Sequence, residues 1–157
     1  MSEHIVQEVT DGGLILADFL PYRIVALGHL ISRRLSRAYE AENLTIPEWR
    51  VLAVISQADA MAARDVVALS PMDKMAVSRA VASLEAKGLV KRDADARDRR
   101  VFTLALSPEG RAMFSRVARL AKVYEERLLA VLSDEERAAF KKALSQLEAG
   151  ANAAGAS

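Results

Sequence analysis

The stretch that decides the fold is residues 73–106, DKMAVSRAVASLEAKGLVKRDADARDRRVFTLAL. In its first half, Val77, Val81 and Leu84 recur at the spacing of one face of an α-helix. Gly88 follows in the manner of a helix C-cap. Two short strand-like segments, 89–92 and 101–106, then flank a highly charged run. The stretch therefore predicts a helix followed by a β-hairpin.

The opposite face of this helix is unusually small for a solvated surface, because Ala82 and Ala86 take positions where long charged side chains are common. Such a face allows a helix to enter a DNA major groove about 12 Å wide. The candidate DNA contacts in its first half are Lys74, Met75, Ser78 and Arg79. Arg79 matches the two acceptors of a guanine, whereas Lys74 and Ser78 better fit phosphate. The alternative is a small-residue helix that packs on another protein helix.

The tip of the hairpin concentrates positive charge. Its arginines Arg97, Arg99 and Arg100 are candidate DNA contacts, with one of them entering the minor groove. Asp95 and Asp98 cannot favour phosphate, so they are expected to support the wing by ion pairs with the arginines. A plain solvated turn is the alternative interpretation of the same composition.

Helical periodicity and capping signals extend outward from this stretch. Thr45 with Glu48, and Ser133 with Glu136, have the capping-box spacing. The further predicted helices cover residues 22–42, 62–69, 108–132 and 134–147, and another helix follows Thr45 and carries Trp49, Leu52 and Ile55. Three short helices and a hairpin make a winged helix-turn-helix, so the predicted fold class is mainly α with a small β-hairpin and long flanking helices.

Composition excludes several other classes of protein. The chain has 157 residues, a net charge of +1, no Cys and only two His residues, which argues against disulfides, thiol chemistry and His-based metal sites. No apolar run or leader-like N-terminus points to a membrane or to secretion, so a cytoplasmic location is expected. No nucleophile, phosphate-loop or metal-ligand motif occurs, and we expect neither enzymatic activity nor a cofactor.

Several segments together resemble the MarR family of bacterial transcription regulators over roughly residues 19–147. The segments that carry the resemblance are LT (44–45), DKMAVSR (73–79), LEAKGLV (84–90), DARDRR (95–100) and LALSPEG (104–110). The combination of a recognition helix with an aspartate–arginine wing at this distance is specific. In the family's pattern, Arg97 matches the wing-tip arginine, Asp98 and Arg100 match the wing's ion pairs, and Ser78 and Arg79 match major-groove positions.

The resemblance implies a homodimer in which the first and last helices of both subunits interlock. The apolar residues Leu128, Phe140 and Leu144 exceed what one small winged domain can cover, which independently favours such an assembly. The expected organisation is a flexible segment (1–13), an N-terminal dimerisation helix region (14–44), the winged helix-turn-helix (45–106), C-terminal dimerisation helices (107–148) and a disordered tail (149–157).

The resemblance also raises the question of an effector. Absence of Cys excludes the oxidant sensing of some members, while others bind small aromatic acids between dimer helices and DNA-binding lobe. Here His29, Arg33, Trp49 and Arg50 are the candidate ligand residues. The alternative is that Trp49 belongs to the core and that Arg33 and Arg50 are surface or structural residues.

The function expected from the sequence is therefore a DNA-binding transcription regulator. It is expected to be a repressor that binds an inverted-repeat operator in double-stranded DNA as a homodimer and is released by a small anionic or aromatic ligand. The alternative is a winged-helix interaction module without specific DNA binding, for which an acidic recognition helix or a wing without arginine would be the sign.

Overall fold

Local capping and turn chemistry set the bounds of the helices and strands in the computed structural model, which describes residues 13–155. The elements are α1 (Leu20–Ala38), a short 3₁₀ helix (Glu40–Glu42), α2 (Ile46–Ile55), β1 (Met61–Ala62), α3 (Ala63–Leu69), α4 (Lys74–Ala86), β2 (Val90–Ala94), β3 (Phe102–Leu106), α5 (Pro108–Leu129) and α6 (Asp134–Ala154). The predicted flexible segment 1–13 lies outside the described residues except for Gly13.

Both predicted capping boxes are confirmed. The Thr45 hydroxyl accepts from the Glu48 amide while the Glu48 carboxylate accepts from the Thr45 amide, which opens α2. Ser133 and Glu136 make the same reciprocal pair at the start of α6. In each case two backbone amides that the helix leaves without a partner are satisfied.

Helix α4 ends as predicted, because Gly88 adopts a left-handed conformation with φ of +71°. The Leu89 amide donates to the Leu84 carbonyl at 2.9 Å, and the Gly88 amide donates to the Glu85 carbonyl at 3.0 Å. These two bonds form a Schellman motif that turns the chain sharply into β2.

The start of α5 is fixed against this same turn. The Ser107 hydroxyl donates to the Gly88 carbonyl at 2.6 Å and accepts from the Gly110 amide at 2.9 Å. A Cβ atom on Gly110 would lie 2.0 Å from the Leu89 carbonyl oxygen, so only glycine allows this approach.

The sheet has three strands in the order β1-β3-β2, and both pairings are antiparallel. The hairpin pairs Val90 with Leu106 and Ala94 with Phe102. Sequence analysis missed β1, which pairs Met61 with Leu104, because two residues are too short to show strand alternation. The observed architecture is nevertheless the predicted winged helix-turn-helix.

The core of this domain is apolar and lies between α2, α3, α4 and the sheet. The apolar face predicted for α4 is confirmed, since Val77, Ala80, Val81 and Leu84 are buried. Helices α1 and α6 contain no buried residue within the described chain. The chain divides into two compact units, one ending at Phe114 and one beginning at Ser115.

Three predicted helix ends are wrong, and the first is that of α5, which was predicted to reach residue 132 and ends at Leu129. The helix predicted for 22–42 begins at Leu20 and ends at Ala38, where a 3₁₀ turn replaces the last α-helical turn. The tail predicted to be disordered from 149 is helical to Ala154, because its alanines are the strongest helix formers and outweigh Gly150. No helix within residues 13–155 is long and apolar enough to cross a membrane.

Candidate nucleic-acid interface

Helix α4 presents its polar and small residues to solvent. Asp73 caps the helix by accepting from the Ala76 amide at 2.8 Å, which orients the first turn. The four predicted contacts Lys74, Met75, Ser78 and Arg79 are all exposed. Ala82 and Ala86 are exposed as well, so the outer face narrows toward the helix C-terminus. This is the shape of a helix that can approach the floor of a groove.

The tip of the wing carries the three predicted arginines, Arg97, Arg99 and Arg100, and all three are exposed. The loop that bears them is closed by backbone bonds, with the Asp95 amide donating to the Val101 carbonyl at 2.8 Å. An ordered turn therefore presents three positive charges at one end of the sheet.

The predicted ion pairs of Asp95 and Asp98 are replaced by hydrogen bonds to the backbone. The Asp95 carboxylate accepts from the Arg97 amide at 2.7 Å, and the Asp98 carboxylate accepts from the Arg100 amide at 3.0 Å. An aspartate that accepts an amide two residues ahead forms an Asx turn. Both aspartates thus shape the backbone of the turn and leave the arginine heads toward solvent.

The ion pair of the wing lies at its base and was missed by sequence analysis. The Arg92 guanidinium donates to the Glu85 carboxylate at 2.8 Å and lies 5.5 Å from the Phe102 ring centroid. This cluster ties β2 to the last turns of α4. Its only sequence signal is a pair of opposite charges seven residues apart, which becomes a contact only after the chain reverses at Gly88.

A groove of about 300 Å³ lies between α3, α4 and the sheet. Its floor is apolar, and its polar lining comes from Arg64, Lys74, Ser78 and Arg92. Arg64 was not among the predicted contacts. Arg64 is exposed on α3, where its guanidinium lies 3.9 Å from the Asp65 carboxylate, and it adds α3 to the elements that carry exposed basic residues.

The buried Glu48 carboxylate was predicted only as a helix cap, but it also bonds α4. It accepts from the Ser83 hydroxyl and, at 2.9 Å, from the Lys87 ammonium group. Burial alone would raise the pKa of Glu48. The hydrogen bonds from Ser83, Thr45 and Lys87 outweigh burial and lower that pKa below its ordinary value. The carboxylate is therefore ionised at neutral pH.

Two of the candidate ligand residues take part in packing. Trp49 stacks on Phe114 with ring centroids 5.8 Å apart and meets Tyr39 at the same separation. Burial raises the pKa of the Tyr39 hydroxyl, opposed in part by the nearby charge of Arg50. The Arg50 guanidinium donates to the Ser32 hydroxyl at 2.9 Å and so connects α2 to α1.

The other two, His29 and Arg33, are exposed on α1. A pocket of about 390 Å³ lies where α1 meets α2, and none of the four candidate ligand residues lines it. Its lining residues are Ser36, Arg37, Glu40, Asn43, Leu44, Thr45 and Ile46. The ligand role of His29, Arg33, Trp49 and Arg50 stays a prediction.

Comparisons with known proteins agree on one family. A sequence model described as MarR family matches residues 42–101. An HTH-type transcriptional repressor of Mycobacterium tuberculosis is 27% identical over 134 residues, which cover 84% of this chain and 96% of the relative.

Solved structures match as well. The crystal structure of a MarR family transcriptional regulator from Silicibacter pomeroyi DSS-3 is 34% identical, with a TM-score of 0.74 and coverage of 85% of this chain and 96% of that one. A mutant of MarR from E. coli, complexed with operator DNA, is similar in fold with a TM-score of 0.75 at 22% identity, covering 82% of this chain and 92% of that one.

Proposed function

The chain belongs to the MarR family of transcriptional regulators, and we propose that it is a homodimeric repressor that binds an inverted-repeat operator in double-stranded DNA. The observation that carries this proposal is the exposed small face of α4, flanked by the three exposed arginines of the wing. A groove-reading helix beside a cationic hairpin supplies both base contacts and phosphate contacts.

The net charge of +1 does not contradict DNA binding, because its distribution matters more than its sum. Lys74 and Arg79 project from α4, and Arg97, Arg99 and Arg100 project from the wing. In the proposed complex, Arg79 and Met75 face base edges, and Lys74 and Ser78 contact phosphate. Arg97 enters the minor groove, and Arg99 and Arg100 contact the DNA phosphates beside that groove.

Repression and dimerisation each have separate support. Repression is the activity named for the Mycobacterium tuberculosis relative, which the chain matches over nearly its whole length. Dimerisation is supported by exposed apolar side chains on α1 and α6, where a monomer would leave a large apolar surface in water. Two recognition helices related by a twofold axis would read half-sites about 10 bp apart, centre to centre.

The proposal is tested by selecting bound duplexes from a random-sequence pool and then measuring the affinity of Arg79→Ala. We expect an inverted repeat, and a loss of about 1–3 kcal/mol on the selected duplex with relaxed preference at one base pair. An equal loss on random DNA would assign Arg79 to phosphate. Failure of the wild-type chain to select any sequence would favour the alternative, an interaction module without specific DNA binding.

A small anionic or aromatic effector is the second part of the proposal. His29 and Arg33 are four residues apart and share one face of α1. Both are exposed, so Arg33 is available to pair with a carboxylate. Because binding equilibria are linked, a ligand that prefers the non-binding dimer lowers DNA affinity by its own preference factor.

The effector is tested by thermal-shift screening with benzoic acid derivatives on the wild-type chain and on Arg33→Ala. A compound that raises Tm and releases DNA from the wild type should do so at higher concentration for Arg33→Ala. Equal release from both proteins would count against Arg33, and a panel without any hit would favour a repressor controlled by its own concentration.

A further inference from the structure

Glu48 is the one charged residue among those described that is almost fully buried, with 3% of its surface exposed. Buried carboxylates are costly unless their oxygens are well bonded. The cap of α2 needs only one carboxylate oxygen, and an exposed glutamate satisfies the same motif at Ser133–Glu136. The burial of Glu48 therefore reflects a role beyond helix capping.

The additional partners of Glu48 both lie at the C-terminal end of the recognition helix. The Ser83 hydroxyl donates to one carboxylate oxygen, and the Lys87 ammonium group donates to the other at 2.9 Å. Lys87 also donates to the Asn43 carbonyl at 2.7 Å. One carboxylate thus connects the start of α2 with α4, while Lys87 adds the turn that precedes α2.

These polar contacts add directional restraints to the packing of the apolar core. Val51, Leu52 and Ile55 of α2 are buried in the same core as the inner face of α4, and apolar burial has no directional preference. Hydrogen bonds, in contrast, weaken steeply when their angle or distance changes. Rotation or sliding of α4 on α2 would break the bonds from Ser83 and Lys87.

The length of α4 magnifies any such motion at its DNA-reading end. Met75 lies eight residues before Ser83, about 12 Å along the helix axis. A rotation of about 10° around Ser83 would move Met75 by about 2 Å. That is several times the roughly 0.5 Å tolerance of a binding site built for directional contacts.

We propose that Glu48 and Lys87 form an ionic latch that fixes the orientation of the recognition helix on α2, which makes Glu48 a positioning residue for sequence-selective DNA binding. This inference rests on the proposed function. Contacts to bases need the fixed helix, whereas phosphate contacts through long, flexible side chains adapt to a displaced one. Opening the latch therefore lowers selectivity more than it lowers overall affinity for DNA.

The test measures affinity for two duplexes as a function of salt, one selected by the wild-type chain from a random pool and one of scrambled sequence. The variants are Glu48→Gln, Lys87→Met and the double variant. The matched control is Glu109→Gln, which removes the same charge from an exposed residue in the first turn of α5. Tm is measured for each protein, and affinities are compared well below the lowest Tm.

We expect Glu48→Gln and Lys87→Met each to lose on the order of tenfold in affinity for the selected duplex, the scale of one lost base contact. Affinity for the scrambled duplex and the salt slope should stay near the wild-type values. The double variant should lose no more than the worse single variant, because both changes open one latch. Glu109→Gln should match the wild type in every measurement.

Other outcomes overturn the inference. A lower Tm with an unchanged ratio of selected to scrambled affinity would make the latch purely stabilising. A salt slope lowered by about one in Lys87→Met alone would make Lys87, whose side chain is 31% exposed, a direct phosphate contact. A wild-type chain without sequence preference would overturn the proposed function, and the latch's role in selectivity with it.

Discussion

At the scale of single residues, Arg97 gives the most direct test of the wing. Its side chain is exposed at the tip of the hairpin, in a turn ordered by its own backbone amide. We expect Arg97→Ala to weaken DNA binding and to reduce the slope of log K against log salt by about one, because one ionic contact and its released counterions are lost. Affinity measured at four or more salt concentrations checks both quantities.

The control for Arg97→Ala is Lys122→Ala, which removes one positive charge from an exposed position on α5, in the unit beginning at Ser115. It should leave the salt slope unchanged. If Arg97→Ala has the same salt slope and affinity as the wild type and as Lys122→Ala, Arg97 makes no ionic contact with DNA.

Which residues could be predicted depended on how local their contacts are. The outer and inner faces of α4 followed from the 3.6-residue period, and the structure confirms both. The cap formed by Glu48 was predictable because Thr45 is three residues away. Its bonds to Ser83 and Lys87 span 35 and 39 residues, and no periodic or local signal marks them.

At the scale of elements, the conformation of the wing's turn depends on the hydrogen bonds that the Asp95 side chain accepts. Its carboxylate bonds backbone amides, so an amide side chain should replace it. We expect Asp95→Asn to bind DNA at least as tightly as the wild type, since it keeps the turn and removes a charge that repels phosphate. Asp95→Ala should bind more weakly because the turn loses its bonds.

Affinity measurements on the two variants, together with hydrogen exchange at the Arg97 amide, decide between the backbone role and the ion pairs expected from the sequence. Protection of that amide should survive in Asp95→Asn and fall in Asp95→Ala. Equal loss of affinity in both variants would mean that the negative charge of Asp95 is needed after all.

The position of the start of α5 depends on a single glycine, Gly110. Gly110→Ala would bring a methyl group 2.0 Å from the Leu89 carbonyl oxygen, which is backbone and cannot turn aside. We expect the free energy of unfolding to fall by about 3 kcal/mol, as in an overpacked core. Urea denaturation at a fixed protein concentration measures the change.

Gly150→Ala is the matched control, because Gly150 lies in α6 with nothing within 4 Å of an added Cβ. Alanine there should stabilise the helix by about 0.5–1 kcal/mol. A Gly110→Ala variant as stable as the wild type would mean that α5 moves away from Leu89 at little cost.

Among the elements, those with strong caps or long periodic faces were predicted well. Strand β1 was missed because its two residues become a strand only by pairing with β3. The end of α6 was misjudged because small residues and two glycines were interpreted as a tail, although alanine favours helix wherever nothing stops it.

At the scale of the whole molecule, the proposed dimer accounts for the apolar side chains that are exposed on the long helices of a single chain. In the dimer, the partner subunit would cover them. Leu144 and Phe140 on α6 are 39% and 51% exposed. We expect Leu144→Glu to fold but to form monomers, because a charge would otherwise be buried in the interface. Sedimentation velocity gives the oligomeric state. Affinity for the selected inverted repeat should fall when the dimer is lost.

The control for assembly is Gln146→Glu, which adds the same charge to α6 without removing an apolar side chain. It should remain a dimer. A Leu144→Glu protein that stays dimeric with wild-type affinity would remove this part of α6 from the proposed interface.

The stack of Trp49 between Tyr39 and Phe114 has an optical consequence, because Trp49 is the only tryptophan in the chain. All of the intrinsic tryptophan fluorescence therefore originates at the junction of α2 with the residues around Tyr39 and Phe114. Any event that separates these rings changes a single emission band, so the unmodified protein carries its own spectroscopic reporter of this junction.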